Sequence, residues 1–326
     1  MKKFQVKKYS SEFNTLWNEF VAKSKNATFL FHRDFMEYHQ DRFKDFSLLI
    51  FDENQQLMAI LPANKVDNML FSHQGLTYGG ILLDEKIKLS DCISITKSVF
   101  EYLSASGFKK LIFKEVPTIY HQLPSDELQY LIFVLQGNLV RRDVLSVLDL
   151  KSPFVFSRDR KNGVKRGLKN NLIVKEEADF KSFWNEILIP NLALKHQAKP
   201  VHTLEEIQYL YSKFPNNIRQ FNVYQNDKIV AGTTIFESKL VAHSQYISGN
   251  SDKNELGSLD FLHDYLISNV FKNKKYFDFG ISNENQGKNI NEGLMYWKES
   301  FGARSITQDF YEVPIENHIF LDNILL

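Results

Sequence analysis

Residues 229–302 read IVAGTTIFES (229–238), LVAHSQYISGN (240–250), SDKNELGS (251–258), LDFLHDYLISNVF (259–271), YFDFGIS (276–282), NENQGKN (283–289) and INEGLMYWKESFG (290–302). Their periodicity predicts strand, strand, loop, helix, strand, loop, helix, with Ser305–Tyr311 as a last strand. A strand, then a glycine-containing loop that opens a helix, is an anion-binding arrangement. The first-turn amides have no partner inside the helix, and the dipole is positive there. Gly257 would allow a close backbone approach and Ser258 would cap the helix. The same two residues also read as an ordinary helix start, and spacing alone favours that plainer reading.

Working outward, the segments before this stretch predict a basic helix at Arg158–Asn170 and a strand at Leu172–Glu176. Helices follow at Phe180–His196 and Leu204–Phe214, then strands at Ile218–Tyr224 and Lys228–Glu237. The first half predicts helices at Phe13–Val21 and Phe31–Phe43 and strands at Phe46–Phe51, Leu57–Val66 and Leu70–Leu83. After these come a helix at Leu89–Ser104, a strand at Lys110–Glu115, a helix at Asp126–Leu135 and a strand at Leu139–Leu150. Each half runs helices, antiparallel strands, then helix, strand, helix, strand: an internal repeat of fold rather than of motif. Pro153 interrupts the pattern, so the expected domains are 1–150 and 151–326.

The 326-residue chain carries a net charge of +1, which argues against nucleic-acid binding through bulk electrostatics. The local exception is the helix bearing Arg158, Arg160, Lys161, Lys165, Arg166 and Lys169. It reads either as a solvated face or as a surface for a phosphate-bearing partner: a nucleotide-sugar, a lipid-linked sugar, a membrane surface or a tRNA. Cys92 is the only cysteine, which excludes an internal disulfide and a multi-cysteine zinc site; no metal is expected. The N-terminal MKKFQVKKYSSEF has no apolar core like that of a signal peptide, and no apolar run reaches the ~18–20 residues of a membrane span. The cytoplasm is the expected location.

Several short motifs, taken in order, resemble the GNAT acyltransferase superfamily, in the branch similar to FemABX peptidyltransferases and GNAT-like acetyltransferase domains. They are Lys199–His202, Val230–Gly232, His243–Tyr246, Gly257–Asp260, Phe277–Gly280 and Lys298–Ala303, with Ser72–Gly80 in the first half. The resemblance covers most of the chain. It implies an α/β (α+β) fold of two tandem GNAT-like domains, each a mixed, mostly antiparallel sheet flanked by helices. It implies a splayed strand pair admitting acyl-coenzyme A (acetyl-coenzyme A) as co-substrate, with the pyrophosphate near Asn254, Leu256, Gly257, Ser258 and Leu259. Asn254 stands where the common loop has Gln or Arg. Some members of the branch take an aminoacyl-tRNA instead, so tRNA stays open as a partner. The implied activity is N-acyl transfer to a small-molecule amine, such as an amino sugar of a cell-envelope polysaccharide precursor. The alternatives are aminoacyl transfer to a peptidoglycan precursor and a non-catalytic binding module.

Acyl transfer to an amine needs a base, oxyanion donors and positioning of both substrates. The catalytic candidates are His243 and Asp278 as base and Lys298 on the following helix. Strict alternation puts His243 and Tyr246 on opposite faces of their strand. The substrate-binding candidates are His73, Tyr78, His202, Tyr246 and Asn283. Each also has a plainer reading: a hydrogen-bonded strand carboxylate for Asp278, a satisfied strand histidine for His243, a helix cap for His202, a solvated helix face for Lys298, and a tightly turned connection for His73–Gly80.

Overall fold

The computed structural model describes residues 2–325, which form two compact units. The first comprises Met1–Asp143, Gln286–Lys288 and Thr307–Leu326; the second comprises Val144–Asn285 and Asn289–Ile306. The chain is thus not cut once near residue 150: its last twenty residues return to the first unit. No helix among the described residues is long and apolar enough to cross a membrane.

The first unit contains β1 (Gln5–Lys8), α1 (Asn14–Lys23), α2 (Arg33–Met36), β2 (Leu48–Phe51), β3 (Leu57–Leu61), β4 (Asn64–Val66), β5 (Met69–Phe71), β6 (Leu82–Leu83), α3 (Leu89–Ala105), β7 (Lys110–Lys114) and α4 (Glu127–Val134). Strand β8 (Asn138–Asp149) passes from this unit into the second. β1, β2, β3 and β6 pair antiparallel; β5 and β7 pair parallel. α3 buries Ile93, Ile95, Val99, Phe100 and Leu103 in a core with Leu48, Ile50, Leu61 and Phe113. Three expected elements come out broken. The strand expected over Leu70–Leu83 remains only at its two ends, as β5 and β6, which join different sheets. The strand expected over Leu57–Val66 divides at Pro62, which has no N–H for the ladder. The helix expected over Phe31–Phe43 is a single α-turn, α2, between 3₁₀ turns. Arg33 is buried there and held by Glu37 and Asp45.

The second unit contains α5 (Arg158–Lys169), β9 (Ile173–Glu177), α6 (Ile189–His196), α7 (Leu204–Lys213), β10 (Ile218–Gln225), β11 (Lys228–Glu237), β12 (Val241–Gly249), α8 (Lys253–Leu256), α9 (Ser258–Tyr265), β13 (Tyr276–Ile281), β14 (Asn283–Glu284), β15 (Asn289–Ile290) and α10 (Glu292–Glu299). Strand β16 (Arg304–Pro314) begins here and ends in the first unit, antiparallel to β7. The sheet order in this unit is β8, β13, β12, β11, β10, β9, antiparallel except for the parallel β12–β13 pair. Its core gathers Phe221, Ile235, Leu262, Phe277, Phe279 and Phe301. A π-helical stretch, Phe183–Leu188, precedes α6. Pro190 cannot donate to the turn before it, which favours the wider winding there. α5 lies close on α9 because Gly163 and Gly167 leave room for Asp260 and Phe261.

Candidate functional site

β12 and β13 share three rungs, Val241–Tyr276, Ala242–Phe277 and His243–Asp278, and then part. β12 runs on to Gly249 and β13 to Ile281 without further pairing between them. The local cause is visible. Gly280 has φ +72°, and its N–H donates to Asp278 Oδ1 at 2.7 Å instead of to a neighbouring strand. The pairing of β13 with β8 also slips between Asp278 and Ile281.

Asp278 is fully buried, and its Oδ2 lies 2.9 Å from His243 Nδ1. A carboxylate only accepts, so Nδ1 carries the proton and donates, leaving Nε2 as the ring's acceptor. Lys298 is also buried. Its Nζ donates to the carbonyls of Gly280, at 3.0 Å, and Ile281, at 2.6 Å. Burial pushes this ammonium down to about 8, with the nearby Asp278 charge opposing. The three catalytic candidates therefore converge at the point where the strands separate.

A bulge in β12 changes which residues share a face. Thr234 pairs with Tyr246 and Ile235 with Ser244, so Gln245 is an extra residue without a partner on β11. Phe236 pairs with His243. Since Thr234 and Phe236 lie on one face of β11, His243 and Tyr246 also share a face. The expectation of opposite faces is corrected. Tyr246 hydroxyl accepts the His202 backbone N–H at 3.1 Å and lies 2.6 Å from His202 Nδ1, with the Trp184 ring at its edge. His202 does not cap α7; Thr203 does, in a capping box with Glu206.

A cavity of about 610 Å³ opens in this unit beside the unpaired part of β12, which contributes Ile247 and Ser248. Arg160 and Arg166 line it from α5, Lys253 from α8, and Tyr296 and Trp297 from α10. Of the loop residues expected to hold a donor, Asn254 and Leu259 line the cavity, whereas Leu256 belongs to the core. Gly257 is the left-handed link between α8 and α9, and a Cβ there would meet Gly163 O at 2.1 Å. Ser258 follows that link, fully buried, and its Oγ has no hydrogen-bond partner. The space next to Gly257 is therefore filled by α5, and Ser258 is not the cap.

The remaining candidates have partners of their own. Asn283 Oδ1 accepts the Val144 N–H at 2.6 Å. His73 and Tyr78 are buried in the first unit. His73, at φ +91°, stacks on His39 and is pushed down to about 3 by burial. Tyr78 hydroxyl bonds Thr28. Sequence reasoning missed Asp260, which holds Arg160 and the Trp297 indole N–H. The four-residue spacing of Gly163 and Gly167 was the available signal that α5 packs tightly on another helix.

No protein-family model and no curated protein matches the sequence. Solved structures do match in fold. A FemX crystal structure superposes with a TM-score of 0.68 at 9% identity, covering 94% of this chain and 96% of that one. L-PGS from Bacillus licheniformis gives 0.55 at 11% identity over 83% and 84% of the two chains. A tandem GNAT protein from the clavulanic acid biosynthesis pathway gives 0.50 at 11% identity over 96% and 99%. The chain therefore has a FemX-like, tandem GNAT α+β fold.

Proposed function

We propose that this protein is an N-acyltransferase whose activated acyl donor enters the gap between β12 and β13. The observation that carries this reading is the last rung, His243–Asp278, with the strands diverging beyond it beside a cavity. In the proposed reaction the acceptor nitrogen attacks the acyl carbonyl carbon, forming a C–N bond. The bond from that carbon to the carrier's sulfur or oxygen breaks, and the carrier leaves with the electron pair. His243 Nε2 takes the proton that the nitrogen sheds, Asp278 holds the ring in the tautomer that permits this, and a proton returns to the leaving atom. Lys298 offsets the buried Asp278 charge.

The lead donor is acyl-coenzyme A, and the lead acceptor is an amine such as an amino sugar of an envelope polysaccharide precursor, in the cytoplasm. A second reading, aminoacyl transfer from charged tRNA, is favoured by one specific feature. The turn at Gly257–Ser258 is packed on α5, while Arg158, Lys161, Lys165, Arg166 and Lys169 of α5 are exposed. Thermal shift tests these readings. A donor at 100 times its dissociation constant stabilises by about 2.7 kcal/mol. Stabilisation by acetyl-coenzyme A supports the lead reading, and a response to charged tRNA alone supports the second. Silence to both, with no transfer to any amine, leaves a binding protein without catalysis.

A further inference from the structure

We propose that the outer face of α5 docks the second unit onto an anionic lipid surface. The docking stands on that face alone and not on the acyltransferase reading. Residues 151–170 hold seven lysines and arginines and one acid, Asp159, in a chain whose net charge is +1. The rest of the chain is therefore net negative, and the cations are concentrated around one helix.

Helical geometry sorts these cations. Gly163 and Gly167 mark the face turned to α9, where a Cβ would collide with Asp260 and Phe261. At about 100° per residue, Arg158, Lys161, Lys165 and Lys169 fall on the opposite side. All four are exposed, in a row about 17 Å long. Arg160 and Arg166 turn to the flank and line the cavity. Asp159 also stands off the row and accepts the Tyr296 hydroxyl at 2.9 Å. No acid of α5 interrupts the row.

Aliphatic side chains protrude with it. Leu168, between Lys165 and Lys169, is 61% exposed; Val155, just before the helix, is 73% exposed, and Ile173, just past it, 58%. A single exposed aliphatic residue is ordinary, but these stand at both ends of a cationic row. A tRNA could use the cations, yet its phosphate backbone would leave the aliphatic groups in water. A lipid surface takes both kinds of group. Headgroup phosphates attract the cations, and the aliphatic groups leave water at the acyl boundary. The face therefore fits an anionic membrane better than a tRNA.

Sedimentation of the full chain with vesicles tests the docking. It is expected to bind vesicles of phosphatidylcholine mixed with phosphatidylglycerol, to ignore phosphatidylcholine alone, and to be released by high salt. Lys161→Ala with Lys165→Ala is expected to weaken binding by about fivefold per lysine removed. Lys228→Ala with Lys272→Ala removes the same charge from exposed positions elsewhere in the unit and is expected to bind as the wild type does. Leu168→Ala is expected to weaken binding by about fourfold or more, the ratio for one methylene returned to water. All these positions are exposed, so an unchanged melting temperature verifies the fold. No binding to the anionic vesicles, equal losses from the two lysine pairs, or a Leu168→Ala variant that binds as the wild type does overturns the docking. Deacylated tRNA held through Lys161 and Lys165 by a chain that ignores vesicles also overturns it and assigns the row to RNA. Vesicle binding without acyl transfer to any amine keeps the docking and sinks the acyltransferase; transfer without vesicle binding does the reverse.

Discussion

His243 Nδ1 lies 2.9 Å from Asp278 Oδ2, and these two residues form the last rung between β12 and β13. The other oxygen of the same carboxylate accepts the Gly280 N–H. One buried side chain thus orients the imidazole and diverts a backbone donor from the ladder, so the proposed base and the gap have a common origin.

Replacing Asp278 by Asn tests the base. The amide keeps the volume but can present a donor to His243, which favours the other tautomer. With the fold intact by circular dichroism, kcat for acyl transfer is expected to fall by roughly 10²–10⁴, the usual contribution of general acid–base catalysis. Unchanged turnover would remove Asp278 from the mechanism.

The hydroxyl of Tyr246 serves both the His202 backbone N–H and Nδ1 in a buried setting. Tyr246→Phe removes that shared partner. The expected loss is about 1–3 kcal/mol, the range for stranding a buried polar group, read from urea unfolding. A change indistinguishable from zero would show that other partners take over.

Gly257→Ala places a Cβ 2.1 Å from the Gly163 carbonyl at a residue with φ +69°. The left-handed backbone alone costs an L-residue roughly 1–2 kcal/mol, and the clash with α5 adds to it. The melting temperature is expected to drop. A variant as stable as the wild type would contradict the close packing of α5 on α9.

Burial, with Asp309 and Asp126 nearby, pushes the Glu115 carboxyl up to about 8. Its folded pKa lies above its unfolded value, so its contribution to stability is complete below the ordinary carboxylate range. That contribution is lost as pH rises through about 8. Melting temperatures from pH 4.5 to 8.5 should fall more steeply for the wild type than for Glu115→Gln. Parallel curves would place Glu115 in a more polar setting.

Strands β10, β11 and β12 and helices α3, α5 and α9 were legible in the sequence, although β11, buried along nearly its whole length, was legible as an apolar run between turn residues and not by alternation. The parting of β12 from β13 was expected, but its cause, a carboxylate capturing the Gly280 amide, lies in a side-chain contact that periodicity does not carry. The bulge at Gln245 reset the faces of β12 for the same reason: Ser244-Gln245-Tyr246 alternates normally in sequence, and only pairing with Thr234 and Ile235 exposes the extra residue. Asp260, which the sequence offered only as the end of the motif Gly257–Asp260, became part of the cavity wall through Arg160 on a distant segment.

Filling the gap tests the central claim most directly. Ile247 lies on β12 beyond the last rung and lines the cavity. Single-turnover acyl transfer to an amine, from acetyl-coenzyme A and from charged tRNA, is to be measured for the wild type and for Ile247→Trp, with melting temperature as the control. The account predicts that the wild type consumes one of the two donors and that the folded variant consumes neither. Transfer that persists with the gap filled, or a wild type inert toward both donors, would contradict it.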